Sequence, residues 1–523
     1  MTRAGRPVVG LLLVAAPLAA QARQATRAPT LYEDLQMFSQ VLNQIRVNHL
    51  DSVDTHALIL AAVEGMIQAA DPHSYLLPVA RLSPEKAQAL EDGKLWPVPV
   101  AFGFFGGSPV VASVAPLSKA AQADILQGDE LIAVDGQPVT AGSAEELSIV
   151  LAGEKGSSVT LRLSRRRADG SNFEIDRVVK REAPGADATA VPVSQMLDAT
   201  TGYLRITTFA NPKVADDLHD AIGTLKARGM KRLVLDLRDN GGGLVDEAAR
   251  VAGEFLPSGT LVYVTEQRKD AKPDSVRVKR SFWKKEDRYP LVLLVNEGTA
   301  SASELVAGAL QDHDRALLVG RTTFGKSLLM RGFPLLDGSV IMMAFGRVKT
   351  PCGRAVQRDY HGVTRRDYYR LAGAVRDTAG RPNCRTDGGR TVYGGGGVRP
   401  DIELAEPAAP PLWLARIGEE GLVLKWAGGY LTNHPLPPLD SLAAAPKLPA
   451  GALADFETFA TSQGLPVPAE AAGRDRLERA LLRQLALVRY GDSGYHRVAG
   501  ALDPVIAGAL AYFEQADAIM PKP

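Results

Sequence analysis

The sequence has almost no net charge, almost no cysteine and no long apolar run. Lys and Arg number 60 against 59 Asp and Glu, which leaves +1 over 523 residues. No global field therefore draws the chain to nucleic acid or to an acidic membrane surface. No stretch of eighteen or more apolar residues occurs, so a soluble mature chain is expected rather than a membrane-spanning one. Two cysteines and eight scattered histidines offer no zinc-ligand spacing. Gly (50) and Pro (34) stay well short of a low-complexity composition. What is present is a 46% hydrophobic chain, enough to bury the cores of about three to four domains.

The first 22 residues read as a secretory signal. Arg3 and Arg6 precede an apolar stretch from Val8 to Ala20, too short to span a bilayer comfortably. Ala20-Gln21-Ala22 supplies a small-x-small cleavage pattern, and cleavage is expected after Ala22. An uncleaved anchor is the competing reading. Export to a bacterial periplasm or cell envelope follows, and there Cys352 and Cys384 could form one disulfide.

Hydrophobic periodicity divides the rest into an α/β multidomain chain. Leu31, Leu35, Phe38, Leu42 and Ile45 recur at helical spacing behind Thr30, and a second helix ends before Asp71-Pro72; residues 31–95 form an N-terminal helical segment. Residues 96–183 carry short β-rich runs and one helix, a small β module. Residues 195–404 alternate strands with helices, a layered βα architecture. Within it, 358–393 read as an insertion. The wider stretch 354–400 holds ten Arg and four Asp, and a solvated surface loop is expected. Residues 405–523 form a helical C-terminal region.

Three segments can carry chemistry. Leu291 to Val295 is a buried strand that runs through Thr299-Ala300-Ser301-Ala302-Ser303-Glu304 into a helix. Ser301 would sit where free N–H groups and the helix dipole favour developing negative charge. The same residues also spell a capping box, in which Ser301 merely caps and Glu304 reciprocates. Gly320-Arg321-Thr322-Thr323-Phe324-Gly325-Lys326-Ser327 matches a phosphate-binding P-loop. However, Gly332 and Pro334 follow too soon for the helix a P-loop needs, so a strand and hairpin fit better. Lys326 can instead serve as a base, and a neutral amine near Ser301 could take its proton. In Leu235 to Leu244, glycines after a buried strand allow backbone N–H groups to approach a ligand and form an oxyanion hole.

Together these motifs resemble the carboxyl-terminal processing proteases, also called tail-specific proteases. The likeness covers nearly everything from Leu31 to Leu404. It rests on Asp71-Pro72-His73-Ser74-Tyr75-Leu76-Leu77-Pro78, on the PDZ-like Leu126 to Gly136, and on Tyr203-Leu204-Arg205-Ile206. Thr299 to Glu304, Thr323 to Lys326, Thr350-Pro351-Cys352-Gly353-Arg354 and Val398-Arg399-Pro400-Asp401-Ile402 follow in family order. The resemblance implies a crotonase- or Clp-protease-like βα protease domain and a Ser/Lys dyad. The family spacing of 25 residues before the lysine selects Ser301 over Ser303. It further implies Ala302 with Gly242 or Gly243 as oxyanion hole, and a PDZ module binding C-terminal tails through Phe102, Gly103 and Phe104, read as a carboxylate loop. No metal or cofactor is implied. Expected partners are protein or peptide substrates with apolar tails, with a homodimer or an adaptor protein compatible with the sequence. The family usually has Gln four residues after the lysine; here it is Met330. That change keeps alive a catalytically inactive tail-binding scaffold, and the P-loop match keeps a nucleotidase as a remote alternative.

Overall fold

The computed structural model describes residues 30–77, 95–105, 108–114, 128–139, 144–166, 172–181, 189–267, 272–279, 288–336, 339–363, 380–405, 410–469 and 473–521, with single residues 120, 123, 125 and 368. The leader expected over residues 1–22 lies outside them. The chain divides after Met66 into two compact units. In the first, helix α1 (Leu31–Asn48) starts on a capping box: Glu33 N–H donates to the Thr30 hydroxyl, and the Glu33 carboxylate accepts the Thr30 N–H at 2.7 Å. None of its residues is buried. Helix α2 (Thr55–Ala70) follows.

In the second unit, strand β1 (Tyr75–Leu77) leads to a small antiparallel module. Its elements are β2 (Val100–Phe105), β3 (Ser108–Val114), β4 (Glu130–Val134), β5 (Gln137–Pro138), α3 (Ala144–Leu151), β6 (Ser158–Arg166) and β7 (Asn172–Lys180). The sheet order is β2-β3-β4-β6-β7. Along β6 the period of two puts Val159, Leu161 and Leu163 inside and Arg162 outside. Those three residues pack with Val111, Leu131, Leu147 and Leu151.

The βα region begins with β8 (Val193–Met196), β9 (Thr201–Arg205), α4 (Val214–Ala227), β10 (Arg232–Asp236), α5 (Val245–Gly253), β11 (Leu261–Gln267) and β12 (Asp274–Arg277). It continues through β13 (Leu291–Val295), α6 (Ala302–Asp312), β14 (Leu317–Gly320), β15 (Leu328–Pro334), β16 (Val340–Lys349), β17 (Asn383–Arg385), β18 (Thr391–Tyr393) and β19 (Ile402–Glu403). Six strands form one sheet in the order β19-β14-β13-β10-β9-β8, parallel from β19 to β9. Every residue of β13 is buried, as a parallel strand covered on both faces requires. Leu233, Leu235, Leu291 and Leu293 pack toward α4, α5 and α6.

The opposite face is covered from far along the chain. Helices α7 (Leu412–Glu419), α8 (Leu422–Leu431), α9 (Leu439–Ala444), α10 (Ala452–Ser462) and α11 (Arg474–Ala501) build a core of their own around Trp426, Phe456, Leu477, Leu481 and Leu485. Then α12 (Pro504–Ala509) and α13 (Phe513–Ile519) lay Ile506, Ala509, Phe513 and Ala516 against Val234, Val292 and Leu294. Docking or dimerisation is the sequence expectation for this tail. Its last two helices are committed to the chain's own core.

The solvated loop expected within 354–400 is corrected in part: Asp359, residues 361–363 and residues 387–389 are exposed, but some other positions are not. Arg354, Arg358 and Thr386 are buried, and β17 and β18 form a hairpin. The end of α6 and the turn just beyond it neutralise part of the positive charge: Arg354 pairs with Asp312 at 2.8 Å and Arg390 with Asp314 at 2.6 Å. Cys352 and Cys384 are joined by a disulfide that closes a separation of 32 residues. Chain-entropy arguments give a loop of that length about 3–4 kcal/mol. The double variant Cys352→Ser/Cys384→Ser is expected to lose about that much, read as a lower thermal midpoint that reducing agent no longer changes.

Candidate active site

The strands β10 and β13 are neighbours, so the loops leaving their C-terminal ends meet. Ser301 caps α6 with φ 56° and ψ −119°, a left-handed backbone that a non-glycine residue adopts at a cost of order 1–3 kcal/mol. Two bonds hold it there: Ser301 N–H donates to Glu304 Oε2 at 2.9 Å, and Ala300 N–H donates to the Asn240 carbonyl at 2.9 Å. Ser303 is fully buried and its hydroxyl donates to the same carbonyl at 3.0 Å. Of the two serines, Ser303 is tied into the packing and Ser301 is partly open.

The glycine loop lies directly against this turn. The Asn240 side chain donates to the Ile206 carbonyl and accepts the Gly242 N–H at 2.9 Å. Gly242 has φ 96°, and a Cβ placed on it would stand 2.8 Å from Ser301 Cβ and 2.8 Å from Ala302 N. Such approach admits only glycine. Gly242 therefore adjoins Ala302, but its own N–H is spent on Asn240. Gly243 bridges to Phe209. Among the described residues, neither the Gly243 nor the Ala302 N–H is spent on another hydrogen bond. Below the loop, fully buried Asp236 receives Arg205 at 3.0 Å, Arg238 at 2.7 Å and the Tyr203 hydroxyl at 2.8 Å. Burial works to raise its pKa, and the two guanidinium groups hold it below the ordinary carboxylate value. Arg238 also pairs with Asp503, the N-cap of α12, at 2.6 Å.

Lys326 is half-buried on the loop between β14 and β15. Glu304 connects it to the serine. Its Oε2 accepts both Ser301 N–H and Lys326 N–H, at 2.9 and 2.8 Å, so those nitrogens lie within ~6 Å of each other. Its Oε1 accepts Gly325 N–H at 2.7 Å and the Thr323 hydroxyl at 2.5 Å. Burial pushes the Glu304 carboxyl up to about 7, although all four donors pull it down. The reciprocal Glu of a capping box is thus also the tether of the lysine loop.

The P-loop alternative is corrected by the same contacts. Strand β15, not a helix, follows Ser327, and the Gly325 and Lys326 N–H groups that would cradle phosphate already bind a carboxylate. In the β module, Phe102, Gly103 and Phe104 lie within strand β2, not in a loop, paired with β3. Phe102 packs against the module's core. On the ordered path of that sheet, β2 is the end strand.

Sequence reasoning missed Asn240, Thr323 and the full role of Glu304 as anchors. Thr323 and Glu304 stand inside short motifs that could have drawn attention to them. Residues Gln357 and Tyr368, which reach the lysine loop, carry no local signal.

The chain matches peptidase family S41 over residues 200–366 and a PDZ domain over residues 110–165. It is 29% identical over 365 residues to a carboxy-terminal-processing protease of Bartonella bacilliformis, covering 67% of this chain and 79% of that protein. It is 31% identical over 350 residues to a chloroplastic C-terminal processing peptidase of Tetradesmus obliquus, covering 62% of this chain and 71% of that protein. Across such relatives the matched share of their own length runs from 48% to 79%. A solved photosystem II D1 C-terminal processing protease aligns at TM-score 0.38 and 26% identity, covering 74% of this chain and 90% of that one.

Proposed function

The chain belongs to peptidase family S41, among the C-terminal processing peptidases, and from that membership we propose that it is an exported serine endopeptidase acting through Ser301 and Lys326. The observation that carries this reading is the shared Glu304 carboxylate, which binds the backbone of both residues beside an uncommitted Ala302 N–H. Lys326, as the neutral amine, takes the Ser301 hydroxyl proton while the oxygen attacks a substrate carbonyl carbon. The Ala302 N–H, with that of Gly243, receives the oxyanion. The Gly242 N–H joins only if Asn240 releases it. The peptide C–N bond breaks and its nitrogen leaves with the proton held by Lys326. Water then cleaves the acyl ester, yielding a carboxylate and restoring Ser301.

The PDZ module would select the substrate. A C-terminal tail adds as a further strand beside β2, near Phe102, Gly103 and Phe104. The inactive scaffold is a second reading, favoured by Met330, which lies in β15 opposite Ala344 and has no strong hydrogen-bonding group. One experiment separates them. An unfolded protein with an apolar C-terminus is incubated, with EDTA, with the chain and with its Ser301→Ala variant. Cleavage by the unaltered chain alone supports the Ser/Lys reading. Cleavage by neither, with tail peptide still bound by both, selects the scaffold.

A further inference from the structure

The insertion that the sequence presents as a charged surface loop reaches into the lysine loop. The geometry points to Tyr368, acting with Gln357, as a positioning residue for Lys326; this rests on the Ser301/Lys326 reading. Tyr368 is 1% exposed. Its hydroxyl donates to the Gly325 carbonyl at 3.1 Å and accepts from Gln357 Nε2 at 2.9 Å. Gln357 Oε1 in turn accepts the Ser327 N–H at 2.9 Å. The two peptide groups flanking Lys326 are therefore both held from the insertion side, while Glu304 holds the Lys326 N–H from the serine side.

Arg358 completes the clamp. Its N–H donates to the Gly325 carbonyl at 2.9 Å, and its guanidinium donates to the Tyr368 carbonyl. That guanidinium lies 4.1 Å from the Tyr368 ring centre and 5.0 Å from that of Phe324. A Cβ on Gly325 would come within 2.9 Å of Arg358 Cβ and 3.1 Å of Gly397 N, so the lysine loop packs directly against these two segments. A lysine that must present a neutral amine to one serine gains from a fixed backbone, because a small displacement of its loop is amplified along four side-chain carbons. The residue whose carbonyl accepts the Tyr368 hydroxyl, Gly325, is also the one whose N–H donates to Glu304 Oε1 at 2.7 Å, so Tyr368 and Glu304 hold the same loop residue.

The test uses the full chain as Tyr368→Phe, Gln357→Ala and the double variant. Tyr368→Phe keeps the ring against Arg358 and Phe324 and deletes only the hydroxyl. Expected is a fall in kcat of roughly tenfold to a hundredfold, with KM for an unstructured peptide unchanged. The double variant should be no slower than the slower single variant, as members of one network are non-additive. Amide hydrogen exchange over residues 325–328 should be faster in each variant than in the unaltered chain. An unchanged kcat, a loss confined to KM, or additive losses would overturn the assignment. Exchange keeps the two readings separable: if the unaltered chain cleaves nothing, the Ser/Lys reading fails, while equal exchange rates reject the clamp and faster ones retain it.

Discussion

Ser301→Ala and Lys326→Ala are each expected to lower kcat/KM for peptide cleavage by about 10⁴-fold or more, and the double variant by no more than either alone. The reason is that the hydroxyl and the amine serve one proton transfer. Deleting either leaves only binding and the oxyanion donors. Lys326→Arg should be as inactive as Lys326→Ala, since a guanidinium does not give up its proton near neutral pH. Thermal midpoints should hardly move, because Glu304 binds the backbone N–H groups of Ser301 and Lys326, not their side chains. A kinetic survey of the four variants, with melting curves beside it, decides the matter. Strictly multiplicative losses would mean that the two residues do not act in the same step.

Glu304→Gln is the second large effect. The carboxylate faces four donors and no acceptor: Ser301 N–H, Lys326 N–H, Gly325 N–H and the Thr323 hydroxyl, which is itself committed by accepting Val398 N–H. An amide would turn its NH₂ toward one of these pairs and leave two buried donors unmatched. Each buried donor left unmatched costs about 1–3 kcal/mol, so a loss of about 2–6 kcal/mol is expected. Because the lost contacts are those that place Ser301 and Lys326, kcat should fall by about 10²–10³-fold as well.

The Glu304 titration adds a pH signature. Its pKa in the folded chain is raised from the ordinary 4.5 to about 7 by burial. Its contribution to stability is therefore fully present below pH 4.5 and is lost as pH rises through about 7, since the folded state holds the proton more tightly than the unfolded one. Activity should run the other way, because the ionised carboxylate accepts all four donors and the acid cannot. Melting curves and kcat profiles from pH 5 to 8 should show both trends in the unaltered chain. The stability trend should be absent in Glu304→Gln. If the variant keeps kcat within threefold and the same pH profile, Glu304 does not hold the site.

Much of the architecture is written locally. The unbroken apolar run Leu291 to Val295 dictates a strand covered on both faces. Thr30 and Glu33 announce the start of α1. Gly332 and Pro334 rule out a helix after Lys326, and β15 stands there. The family likeness, too, is legible from short motifs in order, and the S41 and PDZ matches agree with it.

Contacts between distant loops are of another kind. Ser301 and Ser303 are equal candidates as residue types; only folding buries Ser303 against Asn240, 63 residues upstream, and leaves Ser301 partly open. Gly242 appears in the sequence as an oxyanion donor, yet folding engages its N–H with Asn240. A capping box is a complete local explanation of Glu304, and nothing in its spacing foretells that the same carboxylate will meet Lys326. Likewise, an Arg-rich insertion reads as solvated until Asp312 at the end of α6 and Asp314 just beyond it neutralise part of its charge and Tyr368 reaches Gly325. Periodicity and turn chemistry act over a few residues and determine which elements form. Which loops touch depends on the order of parallel strands in the sheet, and that order places the ends of β10 and β13 side by side.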